Sequence, residues 1–204
     1  LFCARPGLDV WKASAWAESK DYYNPKEVME AARLMLSVAD KYKGNNNFEY
    51  DLVDVLRQAI AEKGRLTLKV VSAAYKAEDK ALFKQASERF LQLILLQDEL
   101  LGTRQEFRVG NWTDMARNIG HTPEEKNLYE WNARVQITTW GNRSASERGN
   151  LHDYAHKEWN GILKDFYYMR WKTYFDALTS ELNGNLVPVL DWYVIEEPWT
   201  KVSD

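Results

Sequence analysis

The sequence predicts an all-α fold, a single-domain bundle of roughly six or seven helices. Apolar residues recur at 3.6-residue spacing through most of the chain. The periodic stretches open on capping residues and close on Gly or Asn runs. No stretch shows sustained period-2 alternation between hairpin turns, so strands are at most minor. A length of 204 residues suits one domain with a sizeable core, and no fixed-period self-similarity points to a solenoid.

Residues 1–23 read as irregular, with Pro6 and Gly7, and with Trp11 and Trp16 expected to pack the segment onto the body. Asn24 then caps a helix with Pro25 at its first position, and Val28, Ala31, Ala32, Met35, Val38, Ala39 and Tyr42 form one stripe ending near Gly44. A second helix runs from about Phe48 to Tyr75, with Leu52, Val55, Leu56, Ala59 and Ile60, then Leu66, Val70, Val71 and Ala74, inward. Gly64 between the two stripes suits a bend or a close crossing. A third, from about Lys80 to Leu101, turns Phe83, Ala86, Phe90, Leu93, Ile94, Leu100 and Leu101 inward, and its density through LQLILL implies burial on more than one side. A short helix follows from Asn111 to Ile119. Thr122, Pro123 and Glu125 open the next as a capping box, and it carries the chain to Trp140. Gly141 to Gly149 reads as polar loop. Helix resumes at Asn150 and continues through Ile162, Leu163, Phe166, Tyr167, Tyr174, Phe175 and Leu178 to Leu182, before a final short helix, WYVIEEPWT, capped by Asp191 or a neighbour.

Lys and Arg number 27 against 30 Asp plus Glu, so no long basic stripe is available for a phosphate backbone, and nucleic acid is excluded as a partner. No apolar run approaches the roughly 20 residues of a membrane span. Cys3 is the sole cysteine, so no internal disulfide forms and the compartment is not legible from cysteine usage. The opening LFCARPG has neither an initiator Met nor a signal pattern, and the chain is expected to be cut from something longer. The sequons at Asn111 and Asn142 carry meaning only in a glycosylating host. Nine Trp and eleven Tyr are an excess that suits ligand or partner contact as well as core.

The stretch WNARVQITTWGNRSASERGNLHDY, Trp131 to Tyr154, carries aromatic and amide side chains but no nucleophile, a composition suited to gripping a ligand rather than transforming one. His152 and His156 stand four apart, the spacing of H-E-x-x-H zinc sites, but Asp153 replaces the Glu and no third ligand is apparent, so no metal or other cofactor is assigned. The carboxylate pairs Asp98-Glu99, Glu124-Glu125 and Glu196-Glu197 are adjacent in sequence, whereas glycosidase carboxylates face each other across about 5–9 Å; solvated faces and caps account for them better. Asp54 and Arg57 form an i,i+3 pair, either an exposed ion pair or part of a polar network.

Four blocks carry a family resemblance: YDLVDVLRQA at Tyr50 to Ala59, LYEWNARVQITTWG at Leu128 to Gly141, NLHDYAHKEWNGI at Asn150 to Ile162, and FYYMRWKTYFDAL at Phe166 to Leu178. In order and spacing the chain resembles the C-terminal helical domain of the α-N-acetylglucosaminidases, glycoside hydrolase family 89. The resemblance implies that a small N-terminal domain and a (β/α)₈ barrel precede this domain, and that two barrel glutamates act as acid and nucleophile in a retaining mechanism. No catalytic residue then lies in this chain. It further implies that Trp140 and Tyr154, with Leu151 as apolar neighbour, line the site for a terminal α-linked GlcNAc, and that Arg134 and Arg57 are structural. The barrel of the same polypeptide and a GlcNAc-terminated glycan are the implied partners, and the implied compartment is secreted, periplasmic or lysosomal. Gly141 to Asn150, GNRSASERGN, is longer and more polar than the G-P-E-G-N turn of the animal members, and His156 falls where some relatives carry Asn. Two other classes make different predictions: a stand-alone helical protein-interaction module, and a metallohydrolase built on His152 and His156.

Overall fold

Five of the seven α-helices among the described residues begin where a side chain takes up N–H groups that the first turn leaves unpaired. In the computed structural model, which describes residues 1–9, 23–155, 157–187 and 189–201, the caps fall where the residue types place them. Asn24 accepts from Lys26 N at 3.1 Å and opens α1 (Pro25–Ser37). Asn45 opens α2 (Asn46–Lys76) and Asp79 opens α3 (Lys80–Gly102). After α4 (Val109–Arg117), Thr122 opens α5 (Pro123–Gln136) with a reciprocal box: Glu125 N donates to Thr122 Oγ1, and Thr122 N to Glu125 Oε2, both at 3.2 Å. Next comes α6 (Tyr168–Leu182), and Asp191 caps α7 (Trp192–Thr200). Among the described residues there are no strands, only one isolated bridge between Arg108 and Asn160, and no helix long and apolar enough to cross a membrane.

The long antiparallel pair α2 and α3 is the spine, α6 packs on α3, and α4 and α5 form a hairpin that meets α7. Aromatic side chains fill the centre. Phe90 lies 4.5 Å from Trp171 and 5.6 Å from Phe175 between ring centroids, and Phe83 meets Phe175 edge-on at 6.2 Å. The N-terminal segment is part of this core. Phe2 packs edge-on against Phe90, its carbonyl accepts from Trp171 Nε1 at 3.0 Å, and Cys3 beside it is buried. Gly64 makes room for this: a Cβ there would stand 2.7 Å from the Phe2 ring, so the glycine serves a close approach of side chain to helix backbone. Trp11 and Trp16 lie outside the described residues.

The inward faces of α3 and α6 follow the apolar spacing, but that of α2 is rotated. Leu68 and Val71 are buried while Leu66 and Val70 are exposed, lining an open groove with Leu82 of α3. The bulk of the side chain does not decide which face is covered; Phe2 does, by seating on Gly64. On α1 only Ala32 is buried, because this helix touches the body through α2 at the periphery.

Two boundaries differ from the sequence reading. Helix α5 stops at Gln136 rather than Trp140, and helix does not resume at Asn150. Residues 150–155 and 157–160 are irregular, and the next helical segment is a π turn, Leu163–Tyr167, leading into α6. The π segment is started from another helix. Asp98 of α3, almost fully buried, accepts from Gly161 N at 2.7 Å, Lys164 N at 3.1 Å and Asn160 Nδ2 at 2.8 Å. This long-range cap does the work that a local Ser or Asn would do elsewhere. Asp98→Ala would leave buried N–H groups without an acceptor, at about 1–3 kcal/mol each. Urea denaturation should show a loss of that size, concentrated in the 150–182 region by hydrogen exchange.

Candidate functional site

The segment from Ile137 to Ala155 holds only one short π turn as regular structure, because much of its backbone is committed elsewhere. Thr138 Oγ1 donates back to Arg134 O at 2.7 Å, and Trp140 N donates to Val135 O at 2.8 Å, closing the end of α5. Trp140 takes the left-handed conformation (φ 62°) that usually falls to Gly at this position. Beyond Gly141, Ala145 N is capped by Asn142 Oδ1 at 3.0 Å, and Ser144–Arg148 form a π turn closed by Gly149 N on Ser144 O at 2.9 Å. Only glycine fits at 149, where a Cβ would lie 2.6 Å from Ala145 O. Asn150 (φ 52°) and Asp153 (φ 61°) are also left-handed. Each such non-Gly residue costs about 1–2 kcal/mol, so the strain is concentrated in one short segment and is held by its surroundings.

The two ends of this segment are tied together. Asp153 N donates to Thr138 O at 3.2 Å, and Tyr154 N to Leu151 O at 3.1 Å. This brings the rings of Trp140 and Tyr154 to 4.9 Å between centroids, inclined at 52°. Trp140 is half-buried and Tyr154 is 57 % exposed, with Leu151 half-buried in the same turn. The two aromatics expected to act together are therefore adjacent and open to solvent. His152 is not on a helix: its Nδ1 lies 2.9 Å from Ser146 O, which requires the proton on Nδ1. The i,i+4 face that the metal reading needs is absent at His152, and His156 lies outside the described residues. No group of three or more His, Cys, Asp and Glu among the described residues is placed to hold a metal ion.

Beneath the loop is a buried charge cluster that sequence reasoning missed. The fully buried Arg170 of α6 donates from Nη1 to Asp153 Oδ1 at 2.7 Å and to Cys3 O at 3.1 Å. Its Nε is 2.9 Å from Glu196 Oε1 of α7, an ion pair by distance but out of line for a hydrogen bond, and its guanidinium stacks 4.4 Å from the Phe166 ring. Arg5 adds a second fork. Nη1 and Nη2 donate to Glu147 of the π turn at 3.0 and 2.6 Å, Nε and Nη2 to Glu196 at 2.9 Å each, and the backbone N to Asp153 Oδ2 at 3.1 Å. Burial disfavours both guanidinium charges, but Glu147 and Glu196 around Arg5, and Asp153 and Glu196 around Arg170, more than offset it and raise both pKa values. The Arg5 hydrogen bonds hold the Glu147 carboxyl below its ordinary range. A sugar-hydrolysing acid needs the opposite shift, and Asp153, the other carboxylate near the aromatics, is spent on Arg5 and Arg170. Cys3 is no nucleophile either, because burial pushes its thiol well up. A signal for the cluster was present: Arg170 falls on the apolar stripe of Phe166, Tyr167 and Trp171, where a charge must find partners.

Arg134 and Arg57 have structural surroundings. Arg134 holds Glu130 at 2.8 Å and stacks 4.9 Å from the Trp199 ring, joining α5 to α7; Arg57 pairs with Asp54 and stacks 5.3 Å from Phe107. Arg143 clamps Asp191 at 2.8 Å and thereby ties the loop to the start of α7.

The described residues thus form an all-helical domain that displays paired aromatics on a braced, strained loop, with Glu147, Asp153 and Glu196 each paired to arginine. Its residues 1–204 match the family described as alpha-N-acetylglucosaminidase (NAGLU) C-terminal domain, and the chain belongs to that family. The alpha-N-acetylglucosaminidase of Homo sapiens is 32% identical over 179 residues, covering 87% of this chain and 22% of the relative. A family 89 glycoside hydrolase from Clostridium perfringens, solved with 2-acetamido-1,2-dideoxynojirmycin, has 36% identity and a TM-score of 0.95 over 100% of this chain and 23% of its own. Complexes of the Clostridium perfringens family 89 enzyme with its substrate GlcNAc-alpha-1,4-galactose, in a doubly substituted form, and with PUGNAc each give a TM-score of 0.94 over 99% of this chain. The chain thus spans less than a quarter of the length of these relatives.

Two outcomes test the cluster. Arg170→Met takes the buried guanidinium away from Asp153 and Glu196, leaving Arg5 as their remaining arginine partner, and should destabilise the domain by about 3–5 kcal/mol in denaturant titration. The lowered pKa of Glu147 means that the unfolded chain binds its proton more readily. Its contribution is therefore full above the ordinary value of 4.5 and is lost as pH falls through the lower folded value. Denaturation midpoints should fall on acidification below that point, and fall less in Glu147→Gln.

Proposed function

We propose that residues 1–204 form the C-terminal helical domain of a larger, exo-acting α-N-acetylglucosaminidase. Trp140 and Tyr154, with Leu151 beside them, make one wall of the pocket for a terminal α-linked GlcNAc. The observation that carries this reading is the Trp140–Tyr154 pair, 4.9 Å apart on a loop whose ends are tied by Asp153 and Thr138. Indole and phenol faces pack on the apolar face of a pyranose ring, and the Tyr hydroxyl is free to bond a sugar hydroxyl. The family match and the GlcNAc-derived ligands of the bacterial relatives support the choice of sugar.

Bond cleavage belongs to another part of the same polypeptide, the (β/α)₈ barrel, where two carboxylates act as acid and nucleophile. The carboxylates beside Trp140 and Tyr154, Glu147 and Asp153, are held by arginine in this domain. The contribution of this domain is to bind and orient the non-reducing sugar, which is energy that acts through placement of the glycosidic bond. A stand-alone interaction module would give the paired rings a protein partner instead, and the family match lends that reading no support.

In the full-length enzyme, Trp140→Ala should lower kcat/KM on a chromogenic aryl α-GlcNAc glycoside by about tenfold to a hundredfold, roughly 1.4–2.7 kcal/mol. Far-ultraviolet circular dichroism should not change. Trp140→Phe should retain part of the activity. Kinetics unchanged in Trp140→Ala would sink the pocket assignment.

A further inference from the structure

Of the residues in the charge cluster, Arg5 alone grips the pocket segment at two places. Its backbone N–H holds Asp153, the residue before Tyr154, and its guanidinium holds Glu147, in the loop that leads away from Trp140. The remaining edge of the same guanidinium anchors to Glu196 inside α7, a fully buried carboxylate that does not belong to the segment. Arg170 differs, because its contacts join Asp153 to the core through Cys3 and the aromatic stack on Phe166. Arg5 is thus a strut between a fixed helix and the strained loop. Three nitrogens of one planar group serve two carboxylates, a geometry that the point charge of Lys does not reproduce.

We propose that Arg5 is a positioning residue for the sugar-binding wall: through Asp153 and Glu147 it sets where Trp140 and Tyr154 stand relative to the bound GlcNAc. The inference rests on the pocket reading above. Its physical basis is the strain. Trp140, Asn150 and Asp153 are all left-handed, so the position of the two rings depends on the contacts that hold this segment from outside. A displaced wall weakens sugar binding before it affects the chemistry, which is carried out by groups outside this domain.

The test is a double-mutant cycle in the full-length enzyme, with Arg5→Lys, Trp140→Ala and the double variant, reading the Kd for PUGNAc by calorimetry together with KM and kcat. Arg5→Lys should weaken PUGNAc and raise KM by about tenfold with kcat within about twofold. In the Trp140→Ala background, where the wall is already gone, the same change should cost less than about twofold. A residue that only stabilises the fold would lower the melting temperature and leave affinity unchanged, or would act multiplicatively with Trp140→Ala; either result overturns the proposal while the pocket reading stands. No effect of Trp140→Ala itself would overturn both. Should Arg5→Lys fail to fold, Glu147→Gln removes one arm of the strut from a partly exposed side chain. It should weaken PUGNAc by about threefold, again only while Trp140 is present, and a multiplicative result there overturns the proposal equally.

Discussion

Taking a guanidinium and a carboxylate out of water costs several kcal/mol per ion, and a buried pair repays this only with good geometry and further hydrogen bonds. Arg5 meets that condition through forks on Glu147 and Glu196, with N–O distances of 2.6–3.0 Å, while Arg170 is hydrogen-bonded through Nη1 alone and pairs with Glu196 by charge. An apolar replacement of similar volume would fill the same space at no greater cost in stability. What it would not do is define a register. The cluster joins four segments that are far apart in sequence: the N-terminal strand of irregular chain, the π turn, the start of the α6 region and α7. Each of those segments has its position decided by charge geometry, not by interchangeable apolar contact.

This matters most for the loop, because the loop is the least favourable piece of backbone in the domain. Three left-handed non-glycine residues and a π turn within Trp140 to Asp153 would not persist alone. They are held from below by the cluster, from one side by the Arg143–Asp191 pair, and across the neck by Asp153 N on Thr138 O. The cost has a structural return: two large aromatic side chains stand side by side at the surface with their backbones fixed. Under the pocket reading proposed above, binding a small rigid sugar would then lose little further conformational entropy on the protein side, the advantage of a preorganised wall.

The bundle was legible in the sequence because it depends on local chemistry. Asn24, Thr122 and Asp191 cap where short polar side chains before an apolar run should, and Phe83, Phe90, Phe166 and Phe175 are buried where the 3.6-residue spacing places them. The boundaries around the loop were not legible, for a physical reason. Residues 150–156 have helix-compatible types, but the N–H of Asp153 is taken by Thr138 and its carboxylate by arginines, partners that adjoin only after folding. The same holds for Asp98, which looked like half of a solvated acidic pair and is a buried cap for a helix more than sixty residues on. Trp140 and Tyr154 were named by family resemblance; the structure adds their adjacency and exposure, and the network that holds them.

The tryptophan excess also divides in a way that composition alone does not show. Trp171 is core, Trp112 and Trp159 meet at 6.3 Å along the α4 edge, and Trp199 stacks on Arg134 to close α5 against α7. Two of these couple a large apolar face to a polar tip that finds a partner: Trp112 Nε1 on Ala133 O at 2.9 Å and Trp171 Nε1 on Phe2 O. Trp140 is used differently. Its backbone ends α5 in a conformation that glycine would adopt at lower cost, and glycine follows immediately at position 141. A bulky side chain held at the strained position, one residue short of the residue that would relieve it, is hard to account for by stability. Under the pocket reading proposed above, the indole itself is what that point in space requires.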